Sequence, residues 1–496
     1  MNIFDYINVE SLKNLLLYDP RQPLLFNTGL FLILFVLFLC VYRALRFHNV
    51  LKKIFVIAFS VYFYYKSSAE CCFILLGVCL SDYLLGLWLG SVRNELLRRG
   101  IVALNVVVNV GMLVYFKYTN LLLDTFASMG GGHFDALDII LPAGISFFTF
   151  RSISYIVDIY RRQMEPARNL LDYTFYLTFF PPLLAGPTVR AKDMLPQVKS
   201  NPSATPEMVG EGLFLIMSGL VKKIIIADYI SGNFVDRIFD NPSLYSGFEN
   251  LMGCLGFTLQ LYCDFSGYSD MAIGIALLLG YRFKANFDAP FKSQNPTEFW
   301  RRWHISLSSW LRDYIYIPLG GNRKGKKRQR INLMATMLIG GLWHGASWMY
   351  MLWGAYHGAL LVLHKAISSV WRVPEFLRGT FLLRCANICI TFTLVVIGFA
   401  FFRASGPEAL RDMAVQIFTD FRPDIAAQFV EAYVLIVAAL AVGYVMHFTP
   451  RVWATGAAKA YTAMPVAAQA ILLSLLLFLV IQTRQSDLVP FIYLQY

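Results

Sequence analysis

Residues 24–44 read LLFNTGLFLILFVLFLCVYRA, an apolar run in which the only charged side chain, Arg43, stands near the end. About 20 consecutive apolar residues form a helix long enough to cross the hydrocarbon core of a bilayer. Such a helix satisfies its backbone hydrogen bonds internally, as lipid requires. The stretch therefore predicts a membrane-spanning helix.

Comparable apolar runs recur along the chain. They lie near 51–66, 70–90, 101–122, 138–160, 211–232, 250–280, 332–345, 346–367, 382–402, 430–447 and 466–483. Of the 496 residues, 57% are hydrophobic and 15% are charged, whereas a soluble domain carries about 25% charged residues. The sequence predicts an all-α polytopic membrane protein with about 10–12 transmembrane helices. Disordered, coiled-coil and disulfide-stapled secreted proteins are excluded.

The loops between these runs alternate in charge. The loop 323–330 (RKGKKRQR) has six basic residues and no acidic one, whereas 123–138 has three Asp and no Lys or Arg. Because Lys and Arg collect in cytoplasmic loops, this alternation predicts that both termini lie outside the cytoplasm. The net charge of +12 then reflects topology and lipid contact, and we expect no nucleic-acid partner.

The stretch 179–190, FFPPLLAGPTVR, cannot form a regular helix because three prolines and a glycine interrupt it. Irregular backbone at membrane depth is tolerated only where it is buried in protein or lines a wet cavity. We therefore predict a re-entrant segment on the cytoplasmic side. A surface turn is the alternative.

The stretch 260–274, QLYCDFSGYSDMAIG, places two carboxylates, Asp264 and Asp270, inside an apolar run. Facing lipid, each would cost roughly 2.5 kcal/mol or more, so we expect both to face the protein interior. The expected partners are the hydroxyls of Ser266, Tyr268 and Ser269. Two interpretations remain open: a helix break at the Ser266-Gly267 pair, or a substrate cavity.

The segment 295–314 predicts one amphipathic helix. Asn295-Pro296-Thr297-Glu298 supplies an N-cap, an N1 proline and a carboxylate at N3. An apolar stripe follows at helical spacing, formed by Phe299, Trp303, Leu307, Trp310 and Tyr314. We place this helix on the cytoplasmic face, with His304 at the edge of the stripe and the basic loop after it.

His344 lies about 13 residues past the cytoplasmic boundary, some 20 Å along a helix, which places it inside the hydrocarbon region. Its neighbours Gly340, Gly341 and Gly345 permit close approach of another helix or a substrate. An intramembrane histidine is a candidate for function, and a structural role is the alternative. For His357 and His364 we expect interhelical hydrogen bonding. The remaining histidines are expected to be peripheral: His48, His133 and His447.

Several familiar chemistries are not supported. The chain contains no G-x-S-x-G elbow and no HExxH motif, and GGNRKGKK (320–327) lacks the hydroxyl residue and the preceding strand of a P-loop. The eight cysteines lie in apolar runs without zinc spacing, so we expect small buried hydrophobic side chains and no metal site.

Five motifs together resemble one family, the membrane-bound O-acyltransferases, and within it the bacterial branch of alginate O-acetyltransferase membrane subunits. They are FFPPLLAGPTVR (179–190), GLVKKIIIAD (219–228), LYCDFSGYSDMAIG (261–274), EFWRRWHISLSSWLRDYIYIPLGGNRKG (298–325) and GLWHG (341–345). On this basis we divide the chain into N-terminal transmembrane helices (1–178), a core with the motifs (179–367) and C-terminal transmembrane helices (368–496).

The resemblance implies acyl transfer through an intramembrane cavity, with the family's two polar residues at His344 and His304. His344 is the expected base, and His304 is expected to position donor or acceptor or to polarise the acyl carbonyl. The implied donor is acetyl-CoA, with no bound cofactor. Residues assigned to donor binding are Arg301, Arg302, Trp303, Asp264 and Tyr268. Anionic lipid is the alternative ligand of the basic residues.

The implied acceptor is an extracytoplasmic polysaccharide, such as an alginate-like polymer, cellulose or peptidoglycan, at the bacterial inner membrane. No polar stretch is long enough for a soluble domain of usual size, so we expect a partner acetyltransferase outside the cytoplasm. Two alternatives remain: a transporter or flippase, for which inverted repeats would be typical, and an acyltransferase with a lipid or protein acceptor.

Overall fold

A computed structural model describes residues 9–370, 374–483 and 491. This part of the chain contains helices and no strand, so the all-α prediction is confirmed. The helices form two compact units, which are described separately: Met1–Thr205 with Leu278–Phe283, and Pro206–Leu277 with Lys284–Tyr496. The predicted positions of the two termini concern residues outside the described ranges.

The first unit contains α1 to α9. Their bounds are α1 (Val9–Leu16), α2 (Gly29–Ala44), α3 (Asn49–Ser68), α4 (Cys72–Ser91), α5 (Glu95–Leu113), α6 (Thr119–Met129), α7 (Ile145–Tyr160), α8 (Leu170–Thr178) and α9 (Ala191–Ser200). Side-chain caps begin several of them: Thr28 accepts from the backbone N–H of Phe31, and Asn94 accepts from that of Leu96. A π-helical turn, Val114–Tyr118, joins α5 to α6.

The segment 179–190 is irregular and buried, as predicted, and the alternative of a surface turn is wrong. The Phe180 ring packs against Phe38 at 5.5 Å and Phe59 at 5.0 Å between ring centroids. The buried Arg151 of α7 donates hydrogen bonds to the carbonyls of Leu177 and Pro182, which satisfies backbone groups that no helix pairs. That the segment enters from the cytoplasmic side stays a prediction.

A buried polar network that the sequence analysis did not identify crosses this unit. The carboxylate of Asp82 accepts hydrogen bonds from Asn105, Ser152 and Tyr173, each at 2.8 Å. Because each of these side chains is almost fully buried, the network joins α4, α5, α7 and α8 by bonds that lipid cannot replace.

The second unit contains α10 to α22. Their bounds are α10 (Pro206–Leu220), α11 (Asp236–Asp240), α12 (Gly247–Leu278), α13 (Pro296–Arg302), α14 (Ile305–Leu311), α15 (Gly325–His344), α16 (Trp348–Val370), α17 (Phe381–Arg403), α18 (Pro407–Thr419), α19 (Ala426–Ala432), α20 (Val434–Phe448), α21 (Arg451–Ala463) and α22 (Val466–Thr483). Three π-helical segments accompany them: Val221–Asp228, Ser231–Val235 and Arg312–Tyr316.

Within the described ranges, five helical stretches are long and apolar enough to cross a membrane. They are Gly29–Phe47, Asn49–Ser91, Glu95–Met129, Phe381–Arg403 and Val466–Thr483. A sixth is obtained when α19 and α20, which meet at a bend of 98°, are counted as one span. The chain is a multi-pass membrane protein. The helices α15 and α16, which were predicted as spans, are long enough but are not among these apolar stretches.

The long helix α12 corrects two predictions. It runs without a break from Gly247 to Leu278, so no interruption occurs at Ser266-Gly267. Its carboxylates do not depend on neighbouring hydroxyls: Asp264 pairs with Lys223, and Asp270 pairs with Lys222 at 2.6 Å. Consecutive lysines of one π-helical segment therefore neutralise the two acids of α12.

The cysteines are all free, and the prediction that they are buried is confirmed for four of the eight and wrong for the other four. Cys40 and Cys389 are exposed on helices that qualify as membrane spans. A lipid-facing position is compatible with the small apolar role expected of these residues.

Candidate active site

His304 lies at a break between two short helices. The N-cap prediction is confirmed, because the Asn295 side chain accepts from the backbone N–H of Glu298 at 2.9 Å. The predicted single amphipathic helix is wrong: α13 ends at Arg302, and His304 adopts the left-handed conformation with φ +42° before α14 begins. A residue other than glycine is strained in this conformation, and such strain is typical of functional sites.

The break places His304 in the interior, not at the edge of the apolar stripe. Its side chain is fully buried, with the Phe265 ring at 4.5 Å and the Trp343 ring at 5.7 Å between centroids. Nδ1 lies 3.2 Å from the side-chain oxygen of Asn286. Within the described residues, Nε2 has no hydrogen-bond partner. Burial lowers the pKa of His304, so its imidazole is neutral near pH 7.

His344 is the last residue of α15 and is 3% exposed. Its imidazole packs against Trp343, Trp353 and Phe402, with ring centroids at 4.9, 4.7 and 5.2 Å. His304 and His344 stand 40 positions apart in the sequence, yet both contact the Trp343 indole. The structure therefore brings the two predicted catalytic histidines together around one ring.

Glycines set the close packing of α15 on α16. A Cβ added to Gly354 would lie 2.5 Å from the Met337 carbonyl oxygen, and one added to Gly358 would lie 2.8 Å from the Met334 sulfur. Gly341 faces Gly354 across the same contact. The helices thus form an antiparallel hairpin whose tip follows His344. The depth of His344 in the bilayer stays a prediction.

A row of rings leads from His344 along α16. Trp353 packs against His357 at 4.8 Å, and both contact the Trp300 ring of α13. The hydrogen bond expected between helices exists for His364, which lies 3.0 Å from the Thr297 hydroxyl. His357 is held by rings instead, and its Nε2 has no hydrogen-bond partner in the described part of the chain.

Two pockets open near opposite ends of α16. The first, which we call the basic pocket, has a volume of about 560 Å³ and includes in its lining Asp288, Thr297, Arg301, Arg302, His364 and Lys365. The second, the hydroxyl pocket, has about 320 Å³ and includes Ser347, Met349, Tyr350, Phe402, Arg403 and Ser405. From Met349 to His364 the helix rises about 22 Å.

The hydroxyl pocket reaches His344 through Phe402, whose ring lines the pocket and contacts the imidazole at 5.2 Å. The basic pocket is lined by Arg301, the residue after Trp300, and the Trp300 ring is at the end of the row of rings away from His344. His344 thus lies between the two pockets. One ring, Phe402, separates it from the hydroxyl pocket, whereas several rings separate it from the basic pocket.

The two arginines of the basic pocket differ in availability. Arg302 pairs with Glu298 at 2.8 Å and lies 3.8 Å from Asp288. Arg301 and Lys365 are exposed and form no ion pair within the described residues. A multiply charged anion entering this pocket would therefore meet two cations, Arg301 and Lys365, that form no ion pair among the described residues.

The remaining residues assigned to donor binding do not line either pocket. Trp303 is buried against Phe399, with centroids 4.9 Å apart, and Tyr268 stacks on Phe491 at 4.9 Å. Asp264 pairs with Lys223. Within the described residues, no three His, Cys, Asp or Glu side chains are placed to hold a metal ion.

The prediction that His447 is peripheral is wrong. The residue is 5% exposed, and its Nε2 accepts from the backbone N–H of Phe291 at 3.1 Å.

Sequence reasoning also missed Asn286, whose side-chain oxygen lies 3.2 Å from Nδ1 of His304. Asn286 lies in an irregular segment with no periodic pattern, so nothing in the sequence indicates its position.

Comparison with known proteins supports the resemblance to the membrane-bound O-acyltransferases. The sequence profile described as "MBOAT, membrane-bound O-acyltransferase family" matches residues 166–402. The chain is 42% identical over 405 residues to a "Probable alginate O-acetylase AlgI" of Pseudomonas aeruginosa, covering 80% of this chain and 75% of that protein.

Two further relatives carry different names. A "Peptidoglycan O-acetyltransferase" of Helicobacter pylori is 36% identical over 416 residues, covering 78% of each chain. A "Teichoic acid D-alanyltransferase" of Bacillus subtilis is 28% identical over 289 residues, covering 56% of this chain and 72% of that protein. The matched region contains both candidate histidines, and the transporter alternative finds no support among these proteins. The chain is an O-acyltransferase and belongs to the membrane-bound O-acyltransferase family.

Proposed function

We propose that this O-acyltransferase moves an acetyl group from acetyl-CoA on the cytoplasmic side to hydroxyls of a polysaccharide outside the cytoplasm. The observation that carries the proposal is the position of His304 and His344 between two pockets of different chemistry. Arg301 and Lys365 suit the phosphates of an anionic donor. The serines of the hydroxyl pocket suit a hydroxylated acceptor.

The packing of the hairpin supports the proposed direction of transfer. Gly358 of α16 contacts Met334 of α15, so the C-terminal half of α16 lies beside the N-terminal half of α15. The basic residues of 323–330 and Lys365 are therefore at the same end of the hairpin. Because basic residues collect on the cytoplasmic side, we assign the basic pocket to the cytoplasm and the hydroxyl pocket to the opposite side.

In the proposed reaction His344 acts as general base. It accepts the proton of the acceptor hydroxyl as the hydroxyl oxygen bonds to the acyl carbon. The carbon–sulfur bond of the thioester breaks, and the thiolate of CoA takes the proton from His344. The base is restored, and the products are an acetyl ester and CoA.

A polysaccharide acceptor is supported by the relatives whose names specify alginate and peptidoglycan, two carbohydrate polymers. The hydroxyl pocket, with a volume of about 320 Å³, is small compared with a polymer chain. We therefore include in the proposal a partner transferase outside the cytoplasm, at the bacterial inner membrane, that completes delivery to the polymer.

The experiment uses purified protein in proteoliposomes with radiolabelled acetyl-CoA inside and polysaccharide outside, with and without the partner. We expect label in esters of the polymer, efficiently only with the partner. Label confined to lipid or to protein would overturn the polysaccharide acceptor. Full acetylation by this chain alone would overturn the two-component scheme and leave the acyltransferase standing.

A further inference from the structure

Asn286 connects the segment after α12 to the break that carries His304. It is 2% exposed, and its backbone carbonyl accepts from the N–H of Ile305 at 2.8 Å. Its side-chain amide donates to the hydroxyl of Ser269 on α12 at 3.2 Å. Hydrogen bonds therefore hold both the backbone and the side chain of Asn286 in place beside the imidazole.

The orientation of the Asn286 amide follows from Ser306. The backbone N–H of Ser306 lies 3.1 Å from the side-chain oxygen of Asn286, and a backbone N–H can only donate. The Ser306 hydroxyl lies 2.9 Å from the same oxygen. The atom that faces α14 is thus the acceptor oxygen, because the amide nitrogen would leave the backbone N–H of Ser306 without an acceptor.

This orientation decides the tautomer of His304. Nδ1 lies 3.2 Å from the Asn286 oxygen, which has no proton to give, so Nδ1 carries the hydrogen. The Ser306 hydroxyl is farther from Nδ1, at 3.5 Å, and already donates to Asn286. A neutral imidazole has one N–H, and Nε2 therefore presents a lone pair.

We propose that Asn286 is a positioning residue that holds His304 in the Nδ1–H tautomer, so that Nε2 accepts a hydrogen bond from a hydroxyl of the acyl acceptor. The inference rests on the proposed function. In the neutral ring Nε2 has no proton to donate, so His304 does not polarise the acyl carbonyl. The His304 ring packs against Phe265 and Trp343, and its buried Nε2 has no partner among the described residues. A buried acceptor without a partner calls for a donor from the substrate.

The hydroxyl that binds Nε2 is a second one on the acceptor. A reacting hydroxyl has one proton, and in the proposed reaction His344 receives it. The site therefore selects acceptors that carry neighbouring hydroxyls, as sugar rings do. A simple alcohol would fill the same space and leave Nε2 without a donor, which costs binding energy.

The first test reads the tautomer directly. Nitrogen NMR on protein labelled at histidine nitrogens distinguishes the two neutral forms, and the His304 signals are assigned by their loss in His304→Gln. We expect the Nδ1–H form in the wild type, the same form in Asn286→Asp, which keeps an acceptor oxygen, and a shift toward Nε2–H in Asn286→Ala. An Nε2–H form in the wild type would overturn the inference, whatever the enzyme does.

The second test reads acceptor selection. The probes are radiolabelled acetyl-CoA with vicinal cyclohexanediol or with cyclohexanol, which differ by one hydroxyl. We expect Asn286→Ala to lower kcat/KM by about tenfold more for the diol than for the simple alcohol, as loss of one hydrogen bond implies. Asn286→Asp should restore most of the loss.

Asn250→Ala is the matched control. Asn250 is a buried asparagine of α12 that donates only to backbone carbonyls, and it lies 19 positions before Ser269, the α12 residue that Asn286 contacts. It should not change the preference between the two probes. An equal loss with both probes in Asn286→Ala would overturn the inference. Absence of acetyl transfer by the wild type would overturn the proposed function instead, and the NMR result would still decide the tautomer.

Discussion

Replacing Lys223 by Met is expected to destabilise the second unit more than any neighbouring single charge removal. Lys223 lies between two carboxylates, Asp228 at 2.8 Å and Asp264, and the three side chains are 3%, 13% and 5% exposed. Lys223→Met leaves two negative charges close together without a cation. Breaking a buried ion pair by removing one partner costs about 3–5 kcal/mol.

The chain supplies its own control in the preceding residue. Lys222 pairs with Asp270 at 2.6 Å, but these side chains are 17% and 21% exposed. Because solvent or headgroups reach this pair, Lys222→Met is expected to cost about 1 kcal/mol or less. The contrast between the two variants measures the effect of burial on otherwise similar lysine–aspartate pairs.

The assay is the apparent midpoint of thermal unfolding in detergent, followed by tryptophan fluorescence. At about 2 °C per kcal/mol for a unit of this size, Lys223→Met should lower the midpoint by roughly 6 °C or more, and Lys222→Met by a third of that or less. Adding Asp264→Asn to Lys223→Met should recover part of the loss. Equal midpoints for the two single variants would refute the reasoning.

Three further changes test the site, the topology and the packing. His344→Ala should lower acetyl transfer by about 10² to 10⁴, the usual contribution of a general base, with normal membrane insertion; a near wild-type rate in purified protein contradicts the assignment. In a cysteine-free background, Lys326→Cys should react with an impermeant thiol reagent only from the cytoplasmic side and Asp135→Cys only from outside, and labelling of both from one face would rule out the predicted topology. Gly354→Ala should lower thermal stability by about 1–3 kcal/mol, because its Cβ meets the carbonyl of Met337, and an unchanged unfolding midpoint would show that the hairpin can relax.

The sequence was sufficient for those features that depend on composition, spacing and local chemistry. Apolar runs predicted an all-α membrane protein, and the Asn295 cap and the irregular 179–190 segment are where they were expected. The assignment of His304 and His344 to one site comes from the family resemblance, and both imidazoles contact the Trp343 ring. The apolar runs, the cap and the irregular segment are each encoded by residues that are neighbours in the sequence.

The incorrect predictions concern partners from distant parts of the chain. The partner of Asp264 is Lys223, 41 positions away in the sequence, whereas the prediction placed it among adjacent hydroxyls. The helical stripe around Trp303 continues in register across His304, so periodicity alone cannot reveal the break. The role of Asn286 depends on contacts with α12 and α14 together. Such features arise from tertiary packing, which overrides local propensity.

The glycine contact between α15 and α16 also has a mechanical consequence. Where backbone meets backbone, no flexible side chain is available to absorb relative sliding, so the hairpin moves as one stiff body and carries His344 with it. Access to the imidazole from the hydroxyl pocket then requires motion of a neighbour. That neighbour is α17, because its Phe402 lies on His344 and on Tyr350 at the tip of the hairpin. Phe402 of α17 is therefore the contact that separates the hydroxyl pocket from the imidazole of His344.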